Sequence, residues 1–168
     1  MKRLILVRHG QTTPDKSNPD RRLFSAGIRQ VKALSRRLRP LLIHPAIILH
    51  SPAHRAHQTA QILAQELAIP SLRPAPLRIK NINLLQLKGR RPAQAYLSLN
   101  QHGNIESPQD LVGRWLKIFN SIKHATVIAV SHEASLEAFF YHQTTFKLER
   151  KSFRKFFDYA DFASLVLY

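Results

Sequence analysis

The chain contains no cysteine among its 168 residues. This excludes disulfide bonds and thiolate chemistry, and a zinc site would have to be built from histidines and carboxylates alone. Long apolar runs are also missing, because the basic start at residues 1–3 is followed by an apolar run that covers only residues 4–7. Such a run is too short for a signal peptide or a membrane span. We therefore expect a cytoplasmic protein with no membrane partner.

Acidic residues are scarce: 10 Asp and Glu stand against 26 Lys and Arg, which gives a formal net charge of +16. A field of this sign attracts anions and raises their association rate. A cationic surface with no specific partner would have the same composition. Nucleic acid is not the favoured partner, because the basic residues are scattered and no zinc finger, RNA-recognition signature or aromatic-interleaved basic patch is present. The composition predicts an anionic partner without naming it.

Apolar, β-branched runs alternate with amphipathic stretches along the chain. The predicted strands are residues 4–7, 46–50, a short segment within 70–80, 126–130 and 162–168. The predicted helices are residues 26–39, a helix capped by Ser51 with Pro52 as its first residue, 92–101, 107–122 and 134–141. Residues 13–25 are a predicted loop at the rim of a pocket. This alternation favours an α/β fold in which helices cover both faces of a mainly parallel sheet, built as a single domain over residues 1–168.

Cationic and imidazole side chains follow three of the predicted strands. Arg8 and His9 end the first strand, Arg55 lies in the helix after the second, and His132 follows the third. Ligands bind beyond the carboxyl ends of strands in open α/β sheets, so these side chains converge if the strands are neighbours. Guanidinium groups match phosphate oxygens in pairs, and an imidazole can attack phosphorus. The pattern predicts a site for a phosphate dianion.

Three segments together resemble the histidine phosphatase superfamily, a group that includes phosphoglycerate mutases and phosphohistidine phosphatases. Residues 6–12 (Leu-Val-Arg-His-Gly-Gln-Thr) resemble its signature, residues 51–60 resemble its Ser-x-x-x-Arg-Ala-x-Gln-Thr-Ala segment, and residues 130–132 resemble its third motif. Residues 24–30 and the chain around 147–150 also fit. The resemblance implies a three-layer α/β/α sandwich with a mainly parallel central sheet.

The resemblance also implies roles for individual residues. His9 becomes the nucleophile that carries a phosphohistidine intermediate. Arg8 and Arg55 become phosphate ligands, with Thr12 of the same signature as a further phosphate-binding candidate. His132 becomes the second histidine, which steadies the phosphoryl group. A phosphorylated, anionic substrate is implied, without a cofactor.

The chain departs from the family pattern at three positions. Aligning residues 81–89 with the family's donor segment puts Asn81 where many members have a glutamate, and an amide cannot act as an acid. Residues 67–105 contain no Asp or Glu at all. Asp15 replaces an asparagine that contacts phosphate in the family, and it joins the predicted phosphate-binding set. Glu133 replaces the glycine that usually follows the second histidine.

Two readings of the missing donor follow. Either Glu133 or Asp15 supplies the proton, which makes Glu133 a candidate catalytic residue, or the substrate needs no strong acid. A phosphoramidate such as phosphohistidine, or another phosphate with a good leaving group, meets the second condition. The predicted function is therefore a phosphatase for a phosphomonoester or a phosphoramidate. The alternative is a degenerate member that binds phosphorylated ligands without turnover.

No metal site is predicted. The spacing of His50, His54 and His57 could hold an ion, but the first lies at a strand end and the others on a helix. The oligomeric state is not predicted.

Overall fold

A computed structural model of the chain describes residues 2–13, 18, 20–81, 105–142, 146–151 and 158–167. The strands are β1 (Lys2–Arg8), β2 (Ala46–His50), β3 (Leu72–Pro74), β4 (Thr126–Ser131), β5 (Phe146–Lys151) and β6 (Phe162–Leu167). The helices are α1 (Ser25–Leu38), α2 (His54–Leu67), α3 (Pro108–Asn120) and α4 (Glu133–His142), with a short 3-10 helix at Arg39–Leu41. No helix in these ranges combines the length and the hydropathy needed to cross a bilayer.

The six strands form one sheet in the order β3-β2-β4-β1-β6-β5. The β1, β2, β3 and β4 pairings are parallel, whereas β6 runs antiparallel to both β1 and β5. In register, Arg8 lies opposite Ser131, and His50 lies opposite Val130. The carboxyl ends of β2, β4 and β1 are therefore adjacent at one edge of the sheet, and the predicted, mainly parallel α/β sheet is confirmed.

The core lies on both faces of the sheet. Along β1, Leu4 and Leu6 join one buried cluster and Ile5 and Val7 join the other, as the two-residue period of a strand requires. The first cluster is completed from α3 and α4 by aromatic side chains that pack on one another: Trp115, Phe119 and Phe139. The second cluster is completed from α1 and α2 by aliphatic side chains: Val31, Leu34, Leu38 and Leu63. This is the predicted three-layer arrangement.

Helix starts differ from the prediction at two places. The cap assigned to Ser51 is wrong, because α2 begins at His54 with Ala53 as its N-cap residue and without a side-chain cap. In α1 the buried face repeats as Gly27, Val31, Leu34 and Leu38, whereas Ile28, which we predicted on that face, is 39% exposed. The first turn of α1 packs through a glycine backbone, and an apolar count does not detect such a contact.

Strand β5 was not predicted. Its sequence, Phe-Lys-Leu-Glu-Arg-Lys, is rich in charge because it is an edge strand that pairs only with β6 in this sheet. In the 70–80 segment, β3 ends at Pro74, and Leu77 and Ile79 are buried beyond it. The predicted helix at 92–101 and the donor alignment beyond Asn81 lie outside the described residues.

Candidate active site

The three parallel strands bring the predicted side chains to one place. The backbone N–H of His9 donates to the Ser131 carbonyl at 3.1 Å, and that of Ser51 donates to the Val130 carbonyl at 2.9 Å. These bonds continue the sheet pairing past the strand ends. The rings of His9 and His132 consequently lie 5.3 Å apart between centroids, at 65°. The predicted convergence of β1 and β4 side chains is present in the structure.

Arg55 bridges the two imidazoles. It is the second residue of α2 and is 4% exposed. Its Nε donates to His9 Nε2 at 3.2 Å, and its Nη2 donates to His132 Nδ1 at 3.2 Å. A guanidinium has no acceptor atom, so both imidazole nitrogens accept with a lone pair. One buried cation therefore contacts both histidines.

The remaining ring nitrogens fix the tautomers. His9 Nδ1 lies 2.8 Å from the Gly10 carbonyl oxygen, which can only accept, so the proton is on Nδ1 and the Nε2 lone pair points into the site. His132 accepts at Nδ1, so its Nε2–H donates to the Ser51 Oγ at 2.9 Å. Ser51 therefore orients His132, and the same hydroxyl oxygen lies 3.5 Å from the Ala53 N–H, just before α2.

Both imidazoles are neutral in this environment. Burial, together with the Arg55 and Arg8 charges, lowers the pKa of His9 to about 3, although the bond to the Gly10 carbonyl acts in the opposite direction. Burial and the neighbouring His9 and Arg55 lower the pKa of His132 well below its ordinary value. A neutral imidazole has the lone pair that a nucleophile needs.

The lowered histidine pKa values predict that stability falls on acidification. The pKa of His9 is about 3 in the folded chain and 6.5 as a model value, so the unfolded chain binds the additional proton between these pH values. The free energy of unfolding should be constant above about pH 6.5 and fall below it, by up to about 1.4 kcal/mol per pH unit for each such histidine. Urea unfolding at several pH values between about 7.5 and about 5 measures this slope.

His9→Gln is the matched variant for that measurement, because it removes one titrating group and keeps a polar side chain. In this variant the slope of the free energy of unfolding against pH should decrease by up to about 1.4 kcal/mol per pH unit, which corresponds to one proton. An unchanged slope in the variant would contradict a neutral, buried His9.

Arg8 and Glu133 form an ion pair at the edge of the site. Arg8 Nη1 lies 2.8 Å from Glu133 Oε2, and both side chains are largely buried. Glu133 begins α4, where the helix dipole stabilises a carboxylate. The Arg8 guanidinium also lies 4.1 Å from the centre of the Tyr159 ring, which is 5.9 Å from the His9 ring. Glu133 thus contacts the phosphate-binding candidate Arg8.

Thr59 joins the end of β1 to α2. Its hydroxyl accepts from the Gly10 N–H at 3.1 Å and donates to the Arg55 carbonyl at 2.8 Å. The neighbouring Gln58 accepts from the Leu23 N–H at 2.8 Å. Thr59 of the second motif therefore holds the backbones of Gly10 and Arg55 in a fixed relation, and Gln58 holds the backbone of Leu23.

Thr12, a predicted phosphate-binding residue, is not brought into this cluster. Thr12 is buried and pairs with Leu23 in an antiparallel bridge. Within the described ranges, no hydrogen bond links its hydroxyl to His9, Arg55 or His132. Asp15 lies outside the described residues, and its role stays a prediction.

Sequence reasoning missed three residues around the site. Arg21 lowers the pKa of His9 and of Arg55, and Arg78 lowers that of Arg55 and of His132, so both cations act on the cluster. Even so, burial and these charges lower the pKa of Arg55 only to about 10, and it remains a cation at neutral pH. Arg21 lies in the loop predicted to rim the pocket. No sequence signal distinguishes Arg78 or Tyr159 from other residues of their type.

The three histidines whose spacing in the sequence could hold an ion, His50, His54 and His57, do not cluster in the structure. His50 and His57 stack at 4.7 Å between ring centroids, whereas His54 is exposed. No group of three or more metal-ligating side chains occurs in the described part of the chain.

Comparison with known proteins agrees with this geometry. A family model described as the histidine phosphatase superfamily (branch 1) matches residues 4–167. No curated protein matches the chain in sequence.

Solved structures share the fold at low identity. The protein histidine phosphatase SixA complexed with tungstate has a TM-score of 0.62 at 19% identity, over 96% of this chain and 86% of that chain. Mycobacterial glucosyl-3-phosphoglycerate phosphatase has a TM-score of 0.59 at 23% identity, over 83% and 78% of the two chains. Phosphoserine phosphatase from Entamoeba histolytica has a TM-score of 0.55 at 22% identity, over 82% and 77%. Since the family model spans nearly the whole sequence, the chain belongs to the histidine phosphatase superfamily (branch 1).

Proposed function

We propose that the protein is a phosphatase that hydrolyses a phosphomonoester or a phosphoramidate through a phosphohistidine on His9 Nε2. The observation that carries the proposal is the position of Arg55, which donates to one lone pair on each imidazole. Oxygens of a phosphoryl group accept more strongly than imidazole nitrogens, because they are charged. A bound phosphoryl group would take these donors and leave His9 Nε2 free to attack.

The first step forms the Nε2–P bond while the bond from phosphorus to the leaving group breaks. The electron pair of that bond departs with the leaving group. Arg55 and Arg8 balance the charge on the phosphoryl oxygens, and His9 attacks while it is neutral. A dianion beside His132 favours the protonated form of that second imidazole. His132, held by Ser51, then has a proton to share with a phosphoryl oxygen.

The second step is hydrolysis. Water attacks phosphorus, the P–Nε2 bond breaks, and its electron pair returns to His9. One proton of the water leaves with the phosphate or to solvent. The site returns to its starting state without a cofactor.

The absence of the family's usual proton donor restricts the leaving groups that the site can expel. General acid catalysis contributes roughly 10²- to 10⁴-fold, and Asn81 cannot supply it. Glu133 is paired with Arg8 at 2.8 Å, and an opposite charge at that distance favours the carboxylate, which has no proton to donate. Among the described residues, the state of Glu133 therefore supports a substrate whose leaving group departs without strong acid, of which a phosphohistidine-like phosphoramidate is one, and Asp15 stays the alternative donor from the sequence.

Glu133→Gln separates a proton donor from a partner of Arg8. A donor would be needed only for poor leaving groups such as alkoxides. Loss of the ion pair should instead lower kcat/KM for an alkyl phosphate and for p-nitrophenyl phosphate by a similar factor, roughly 3- to 10-fold. We expect the similar factor. A loss confined to the alkyl phosphate would identify Glu133 as the acid.

The proposal is tested by trapping the intermediate. The protein is mixed with p-nitrophenyl phosphate, quenched in base and mapped by peptide mass spectrometry. We expect one phosphoryl group on His9, stable in base and labile in acid. A protein that binds phosphate but shows neither turnover nor a phosphorylated histidine is the degenerate member, and the proposal then fails.

A further inference from the structure

The ring of Tyr159 lies against the Arg8 guanidinium, next to the proposed nucleophile. The Cζ atom of Arg8 is 4.1 Å from the centre of the Tyr159 ring, and that ring is 5.9 Å from the His9 ring. A guanidinium within about 6 Å of a ring centre is attracted by the ring face, more strongly where water is excluded. The Arg8 side chain is 14% exposed, so this contact is largely shielded from water.

The backbone around Tyr159 is bonded to the two residues that its ring approaches. The Arg8 N–H donates to the Asp161 carbonyl at 3.0 Å, and the Ala160 N–H donates to the His9 carbonyl at 3.2 Å. These bonds continue the antiparallel pairing of β1 with β6 beyond the end of both strands. The main chain therefore sets the position of Tyr159 relative to Arg8 and His9.

The turn that carries Tyr159 contains a left-handed residue. Ala160 has a φ of 51°, which is uncommon for a residue other than glycine. The Asp161 N–H donates to the Asp158 carbonyl at 3.1 Å, and the Tyr159 N–H donates to the Asp158 carboxylate at 2.8 Å. A conformation of this kind persists where the surrounding contacts determine it. The turn thus presents the Tyr159 ring from a backbone of defined geometry.

Tyr159 and Glu133 hold the same guanidinium in different ways. Glu133 Oε2 lies 2.8 Å from Arg8 Nη1 and balances its positive charge. A ring face is uncharged, so it attracts the cation without neutralising it. A guanidinium has five N–H donors on three nitrogens, and both contacts can therefore coexist with hydrogen bonds from Arg8 to phosphoryl oxygens.

We propose that Tyr159 is a positioning residue whose ring holds the Arg8 guanidinium beside His9, in place to bind the phosphoryl oxygens. This inference rests on the proposed phosphatase function, in which Arg8 balances the charge of the phosphoryl group. An arginine side chain has many rotamers, so the position of Arg8 at the end of β1 does not by itself fix its guanidinium. Donors stabilise a transferring group best when they are already in place, and the ring supplies this constraint.

Tyr159→Leu and Tyr159→Phe form a matched pair, because leucine removes the ring and phenylalanine removes only the hydroxyl. Tyr159→Leu should lower kcat/KM about 10-fold for both p-nitrophenyl phosphate and phosphoimidazole, since the two substrates share the phosphoryl group. The Kd of inorganic phosphate, measured by calorimetry, should also rise about 10-fold, because the lost contact is on the phosphate side. Tyr159→Phe should stay within about 2-fold of the wild type in all three measurements.

The Arg8→Ala background shows whether Tyr159 acts through Arg8. In that background Tyr159→Leu should lower kcat/KM by less than about a further 2-fold, because the contact that it removes no longer exists. A residue with a merely structural role would lower kcat/KM by the same factor in both backgrounds. Multiplication of the two losses would therefore overturn the inference.

Three other results would also contradict a positioning role. Equal losses in Tyr159→Leu and Tyr159→Phe would assign the effect to the hydroxyl, a loss confined to one substrate would place Tyr159 at the leaving group, and unchanged values in Tyr159→Leu would show that the ring is not needed. Each of these leaves the proposed phosphatase intact. If no substrate phosphorylates His9, the phosphatase itself fails, and the Kd values of inorganic phosphate still decide whether Tyr159 positions Arg8.

Discussion

Replacing His9 with alanine is expected to lower kcat/KM for p-nitrophenyl phosphate on the order of 10⁵-fold, the loss expected when a covalent nucleophile is removed. His9 Nε2 presents a lone pair because Nδ1–H is bonded to the Gly10 carbonyl. The neutral form persists at pH 7, because its pKa is about 3. A good leaving group does not rescue this variant, since the missing step is bond formation to phosphorus.

His132 is the alternative nucleophile that the experiment must distinguish. Its Nδ1 also accepts from Arg55, and its Nε2–H is occupied by Ser51. If His9 is the nucleophile, His9→Ala abolishes phosphorylation of the protein, whereas His132→Ala slows turnover and leaves phosphate trapped on His9. Phosphate found on His132 in the His9→Ala protein would reverse the two assignments.

Two controls make the His9→Ala result specific. His124 lies just before β4, at the end of that strand opposite to His132, and His124→Ala should retain full activity. Added imidazole should restore measurable turnover to His9→Ala by occupying the space of the lost ring. Thermal unfolding of both variants checks that they are folded under the assay conditions, so that a loss of activity in His9→Ala is assigned to the chemical step.

The parts of this site that local sequence reveals are those at the ends of apolar runs. The run at residues 4–7 predicts β1, and the chain itself places Arg8 and His9 at its end. The runs at 46–50 and 126–130 do the same for β2 and β4. These runs do not predict the order of the strands in the sheet. That β4 lies between β2 and β1 depends on pairings between segments about a hundred residues apart in sequence, and only that order makes the side chains meet.

Predictions from local sequence were wrong where a side chain hydrogen-bonds to a residue that is distant in the sequence. Ser51 looks like a helix cap, but its hydroxyl serves His132, which is 81 positions away. Tyr159 becomes a site residue through its contact with Arg8. Leu77 and Ile79, which flank Arg78, are bonded to Ser131 of β4 and Ser135 of α4. A single sequence does not display those contacts. Strand β5 was missed because its sequence is rich in charged residues. An edge strand tolerates polar residues that a buried strand does not.

Gly27→Ala is the substitution for which we expect the largest loss of stability. A Cβ at Gly27 would overlap the Gln11 carbonyl, and one at Gly10 would lie 2.8 Å from the Gly27 carbonyl and 2.9 Å from Val31 Cγ2. The first turn of α1 and the chain after β1 therefore meet backbone to backbone. The obstructing atoms belong to the main chain and cannot move aside as a flexible side chain does, so the cost should be about 3–5 kcal/mol.

Activity should fall together with stability in Gly27→Ala. Displacing Gln11 moves Gly10, whose carbonyl fixes the His9 tautomer and whose N–H is bonded to Thr59. A shift of about 1 Å in a reacting group can lower the rate by about 10²-fold. We therefore expect a smaller folded fraction in the variant and a lower kcat/KM for the molecules that are folded. Urea unfolding and kcat/KM, corrected for the folded fraction, measure the two losses separately.

Gly113→Ala is the matched control, because it makes the same chemical change inside helix α3 where a Cβ would meet no atom within 4 Å. Alanine is the better helix former, so this variant should gain about 0.5–1 kcal/mol and keep its activity. If both variants instead gave the same small change, the close approach of α1 to the chain after β1 would not exist in solution. The position of His9 would then have to be set by β1 and Thr59 alone, without support from α1.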